Sequence, residues 1–98
     1  MSAATNQQLI TGEIGRFEAA DKKMNAAYQQ LLGILDETGK RTLRESQRKW
    51  LAWRDAQAEF DSHHLEGGKL RAMERNGSLR QTTETRTAQL LADYKRFN

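Results

Sequence analysis

Apolar residues recur at helical spacing through most of the chain. Ile10, Ile14, Phe17, Met24, Tyr28, Leu31 and Leu35 follow one another at steps of three, four and seven, the stripe of an amphipathic helix that buries one face. The position this stripe skips is Asp21. A second stripe runs through Leu43, Gln47, Trp50, Arg54 and Ala58, with Leu51, Trp53 and Phe60 widening its apolar face. A third places Leu79, Thr83, Arg86, Leu90, Tyr94 and Phe97 on one side. Between the stripes stand helix breakers. Thr38-Gly39 is expected to close the first helix, because glycine tolerates the left-handed backbone that helix ends often need, and Gly67-Gly68 to end or bend the second. Asn76-Gly77 interrupts the next stretch, and Ser78 with Gln81 reads as a capping box that starts the third helix. The predicted helices cover about residues 6–36, 40–66 and 78–96 of a single domain, 1–98. The fold class expected is all-α: a small three-helix bundle, with a fourth segment if residues 69–75 form a helical piece of their own. A long antiparallel hairpin of the first two helices is its backbone.

Charges interrupt these apolar faces. With the hairpin turn centred near Thr38, Tyr28 is expected to face Gln47, Phe17 to face Ala58, and Asp21 to face Arg54. Arg86 is a second cation on a core-facing position of the third helix. A buried carboxylate without a partner costs several kcal/mol, so pairing of Asp21 with Arg54 is close to required. The planar fork of arginine suits that task, since it can hold a carboxylate with two hydrogen bonds. Asp21, Gln47, Arg54 and Arg86 are therefore read as a structural polar core. Trp50 and Trp53 lie three apart, on one side of the helix. Core packing is the plain reading for both; the sharper one makes them a candidate interface, where tryptophan is over-represented.

Composition narrows the chemistry. The 98 residues contain no proline, which suits long helices, and no cysteine, which removes disulfides, thiolate nucleophiles and cysteine metal sites. Residues 1–40 hold four Lys/Arg against five Asp/Glu, a net −1, and residues 41–98 hold twelve against eight, a net +4. Both signs are interspersed, and no basic cluster alternates with exposed aromatics, so no nucleic-acid partner is expected. Arg71, Arg75, Arg80 and Arg86 would be the residues to carry one. No segment is long enough to span a bilayer, so no membrane insertion is expected. The stretch Met1–Asn6 lacks the apolar run of a signal peptide, which fits either a cytosolic chain or a mature form whose signal has been removed.

Candidate catalytic and metal constellations are weak. His63 and His64 are adjacent, and neighbours on a helix point about 100° apart, so they do not chelate from one face. The i, i+4 histidines of a zinc helix are missing. Thr82, Thr83, Thr85 and Thr87 crowd the third helix without a base beside them. No catalytic residue, metal ligand or cofactor site is assigned.

Ala20-Asp21-Lys22-Lys23-Met24-Asn25 with Tyr28, then Gln47-Arg48-Lys49-Trp50-Leu51-Ala52-Trp53-Arg54-Asp55, then Gly67-Gly68, then Thr83-Glu84-Thr85-Arg86-Thr87 with Leu90, occur in this order over nearly the whole chain. Together they resemble the LprI N-terminal domain family, small bacterial helical domains named after a mycobacterial lysozyme inhibitor. Asp21, Arg54 and Arg86 are charged members of the matched motifs. The resemblance implies an exported location, periplasmic or secreted. It also implies cysteines near Gly12, Ala58 and Leu79, which this chain replaces; their absence also fits a cytoplasmic location. Ala58 and Leu79 are apolar, so packing is expected to take the place of a cross-link between the second and third helices.

The function expected is a non-catalytic protein-binding module of the bacterial envelope, with inhibition of a lysozyme-like enzyme as the activity the resemblance implies. A chain of charge +3 gains no net steering toward a cationic lysozyme. An acidic patch around Glu13, Glu18, Asp21, Asp36 and Glu37 would have to act locally. The alternative is a structural or assembly protein that acts through homo-oligomerisation.

Overall fold

Thr5 opens the first helix. Its hydroxyl accepts the Gln8 backbone N–H at 3.1 Å, and the Gln8 side chain accepts the Thr5 N–H at 2.8 Å. This reciprocal box satisfies two donors that a helix start leaves open. The helix, α1 (Asn6–Leu32), gives way at Gly33. Asp36 then caps α2 (Glu37–Ser62), its carboxylate accepting the Gly39 N–H at 2.7 Å. The hairpin turn is therefore Gly33–Asp36, and Thr38-Gly39, the expected break, lies inside the first turn of α2. An aspartate cap followed by Glu37 at the positive end of the helix outweighs the breaking tendency of one glycine. At the far end Ser62 donates to the Ala58 carbonyl at 2.8 Å, and the chain leaves the helix. Gly68, with φ 92° and ψ −152°, turns it into α3 (Lys69–Phe97). That region of backbone space is essentially reserved for glycine.

The computed structural model describes residues 4–98; Met1, Ser2 and Ala3 of the N-terminal stretch lie outside them. Those residues form an all-α three-helix bundle without strands. α3 is longer than expected and runs unbroken through Asn76-Gly77. Asn76 donates to the Ala72 carbonyl at 2.9 Å, within the helix. Gly77 lies against α1, near the Glu13 carboxylate. Ser78, expected as a cap, is buried and donates instead to Asp61 on α2 at 2.7 Å. Tertiary contacts have overridden the local signal.

Pairs across the helices fix the topology. Asn6 meets Lys69 and Glu13 meets Arg80, so α1 and α3 run parallel. Gln47 meets Arg86 and Asp61 meets Ser78, so α2 runs antiparallel to α3. α1 packs most closely on α3, whereas α2 reaches α1 mainly through long side chains. The hairpin register follows the observed turn. Phe17 lies at Arg54 rather than Ala58, and Gln47, expected opposite Tyr28, lies at Met24, its amide 3.6 Å from the Met24 sulfur. Both differ from the expected register by about one helical turn.

The apolar centre is Met24, Ala27, Leu31 and Leu90, with Tyr28, Ile34, Leu35, Leu43, Trp50, Leu51 and Tyr94 packed around it. Ala58 and Leu79, where the family resemblance implies cysteines, are both buried. The radius of gyration is 16.1 Å and the extents are 51 × 31 × 15 Å, against about 13 Å for a compact domain of this length. The molecule is a thin, elongated slab, so its core is small and its surface large. One surface position offers a gain: Gly15 is exposed within α1, and nothing stands within 4 Å of an added Cβ. Gly15→Ala is expected to raise stability by about 0.5–1 kcal/mol, measured as a higher urea midpoint with unchanged slope.

Candidate functional site

The polar core residues meet in one layer across the middle of the bundle. The Arg54 guanidinium donates to Asp21 Oδ1 at 3.0 Å, to Thr83 Oγ1 at 3.4 Å and to Asp55 Oδ1 at 3.1 Å. One arginine thus ties α2 to both other helices. It reaches Asp21, a turn away from its own level, because helical side chains lean toward the N-terminus of their helix. In an antiparallel pair the two residues lean toward each other. The Arg54 side chain is 11% exposed and that of Asp21 37% exposed, so the pair is half-buried rather than enclosed.

Aromatic rings complete the layer. The Arg54 guanidinium carbon sits 5.2 Å from the Phe17 ring centre and 5.6 Å from that of Trp50, and Arg86 sits 5.7 Å from Trp50. These distances are those of cation–π contacts. Arg86 also donates to Gln47 Oε1 at 2.9 Å and to Gln89 Oε1 at 3.3 Å. Burial lowers the pKa of Arg86 from its ordinary value, with Asp93 opposing the shift; arginine remains charged throughout the physiological range. Asp21, Gln47, Arg54 and Arg86 therefore share one network with Phe17, Trp50 and Thr83. Sequence reasoning placed the four polar residues but missed Phe17 as a stacking partner. It placed Thr83 on the third stripe without assigning it a partner. The signal for Thr83 was its position on the third apolar stripe, where a polar residue needs a partner.

Trp53 stands apart from its neighbour. Trp50 is partly buried among the arginines, while Trp53 is 50% exposed. Their ring centres are 6.4 Å apart with planes at 46°. The two indoles form one wall of a groove of about 250 Å³ between α2 and α3, with Gln81, Thr82, Thr85 and Gln89 opposite. Phe60, expected to widen the apolar face of α2, is also exposed and stacks on His63 at 5.3 Å.

The acidic patch expected on the first half is partly engaged in pairs and a cap. Glu13 pairs with Arg16 at 2.6 Å, Asp21 with Arg54, and Glu37 with Lys40 at 3.5 Å, while Asp36 caps α2. Two of the arginines of the second half are paired as well, Arg75 with Glu59 at 2.6 Å and Arg80 with Glu84 at 3.2 Å. The Arg75 hydrogen bond holds the Glu59 carboxyl below its ordinary pKa. No group of three or more His, Asp or Glu side chains able to hold a metal occurs among the described residues. Among them, too, no helix is long and apolar enough to cross a membrane.

A bundle held by an internal arginine layer, with indoles opened onto a helix–helix groove, defines a small all-α domain that presents a fixed surface. Residues 2–90 match the family described as lysozyme inhibitor LprI, and the chain belongs to that family. A protein of Rhizobium meliloti (strain 1021), named only as uncharacterized, is 29% identical over 87 residues, covering 76% of this chain. The match takes in 63% of that relative's length. No solved structure matches the chain significantly.

Proposed function

We propose that the protein is a non-catalytic, protein-binding module of the bacterial envelope, periplasmic or secreted, that inhibits a lysozyme-like enzyme. The observation that carries this reading is Trp53, half exposed on a groove beside Trp50, whose own ring packs against Arg54 and Arg86. A large indole held ready at the surface supplies contact area at little ordering cost, as interface anchors do. The polar layer beneath it has a structural role: its charges satisfy one another and hold the helices in place. Membership in the lysozyme inhibitor family supports the choice of partner.

Charge supports a local contact rather than long-range attraction. Among the first-half carboxylates Asp21 pairs with Arg54 and Asp36 caps α2, and the net charge of +3 does not steer the protein toward a cationic enzyme. Association is therefore expected at ordinary protein–protein rates with weak salt dependence. The test is inhibition and binding across a panel of lysozymes at physiological salt, with the oligomeric state recorded on the same sample. Stoichiometric inhibition that survives moderate salt is expected. No binding by any member of the panel, together with a dimer in solution, would instead favour an assembly protein that acts through self-association.

A further inference from the structure

The groove beside the tryptophans has a lining unlike the rest of the molecule. Charged residues make up 30% of the chain, yet Trp50, Trp53, Gln81, Thr82, Thr85 and Gln89 include none. The grooves at the two ends of the bundle carry Glu13, Asp61 and Glu74 in one case and Asp36 and Asp93 in the other. A neutral site made of indoles, amides and hydroxyls is matched by a neutral ligand with both an apolar face and many hydrogen-bonding groups. A sugar ring has both: one face of C–H groups that packs on the negative face of an indole, and a rim of hydroxyls.

The polar wall is set up to pair with such a rim. Gln81 and Thr85 are exposed. The Gln89 carbonyl oxygen accepts from Arg86, which leaves its NH₂ without a protein partner among the described residues. The Thr82 hydroxyl proton goes to the Ser78 carbonyl at 3.0 Å, which leaves its oxygen lone pairs as acceptors on the groove lining. A glutamine side chain offers two donors and an acceptor, the complement of an acetamido group. At about 250 Å³ the groove is somewhat smaller than the sites of drug-sized ligands, the scale of a single substituted sugar ring.

We propose that this groove binds an uncharged N-acetylated sugar of a glycan strand, the ring stacked on Trp53 and its acetamido group hydrogen-bonded by the glutamines of α3. This goes beyond the enzyme-partner reading and shares its tryptophan face.

The test is a titration of the full chain, with no enzyme present, using tri-N-acetylchitotriose as the probe. Tryptophan fluorescence and the NMR signals of the indole and glutamine N–H groups are followed. Saturable changes confined to Trp50, Trp53, Gln81 and Gln89 are expected, with affinity at least tenfold weaker in Trp53→Ala and in Gln81→Ala. Gln81 is exposed, so its variant reports on binding rather than folding. The absence of a saturable change in the wild-type chain, or unchanged affinity in both variants, would overturn the proposal. So would lysozyme binding that depends on Trp53 alongside a silent sugar titration, which would assign the groove to a protein. Sugar binding without lysozyme inhibition would support the proposal and overturn only the enzyme-partner reading.

Discussion

Arg54→Ala is expected to destabilise the fold by about 2–3 kcal/mol, below the roughly 3–5 kcal/mol of an enclosed pair because the carboxylate it leaves is 37% exposed. Three effects combine at this side chain. Its removal takes the cation from Asp21 and from Thr83, the latter fully buried. It leaves a gap between the Phe17 and Trp50 rings that both stack on it. It also removes one of the few links from α2 to α1, leaving the Gln47–Met24 contact and the packing of Leu43, Trp50 and Leu51. Asp21→Ala is expected to cost less, about 1–2 kcal/mol, because its carboxylate is 37% exposed and solvent already screens it. Arg54 then still has Asp55 and Thr83. Arg54→Met keeps much of the packing volume and is expected to lose less than Arg54→Ala. Urea denaturation of the three variants provides the check. A loss below about 0.5 kcal/mol for Arg54→Ala, the range of ordinary surface changes, would mean the layer does not hold the bundle.

Leu90→Ala should cost about 2–5 kcal/mol, the span for truncating a buried leucine. Leu90 has no exposed surface and is the member of the apolar centre contributed by α3, facing Met24, Ala27 and Leu31 of α1. The slab has little other core to redistribute the loss. Against a total stability of about 5–15 kcal/mol, that loss is large enough to lower the melting temperature by many degrees. A shift close to zero would place the cooperative core elsewhere in the molecule. The same variant separates the helices' roles, since it strikes the α1–α3 contact and leaves the Arg54 network intact.

How much of this was legible in the sequence depended on the range of the cause. The three apolar stripes gave an all-α bundle because helical periodicity is a local signal. Asp21, Gln47, Arg54 and Arg86 drew notice because a polar residue on an apolar stripe needs a partner. The pairing of Asp21 with Arg54 occurs although the assumed turn was misplaced: the observed register is shifted by a turn, and the inclination of the two side chains makes up the difference. Boundaries were less legible. Asp36 competed with Gly39 for the break between α1 and α2, and the carboxylate cap prevailed. Ser78 was read as a cap, but its hydroxyl serves Asp61 on another helix, and no sequence window contains that partner. Trp50 and Trp53 have the same residue type and adjoining positions on one stripe. Which of them turns outward is decided by where α3 lies, a fact of packing alone.

On the proposed reading, one layer of side chains holds the fold and Trp53 makes the contact with the partner. The most direct test is to measure the Kd of Trp53→Ala for a lysozyme that the wild-type chain inhibits, together with the melting temperature of the variant. A half-exposed side chain contributes little to the core, so melting is expected to stay within a few degrees of wild type. An interface anchor is worth about 2 kcal/mol or more, so Kd is expected to rise roughly thirtyfold. An unchanged Kd with unchanged melting would contradict the account and move the contact surface away from the tryptophans.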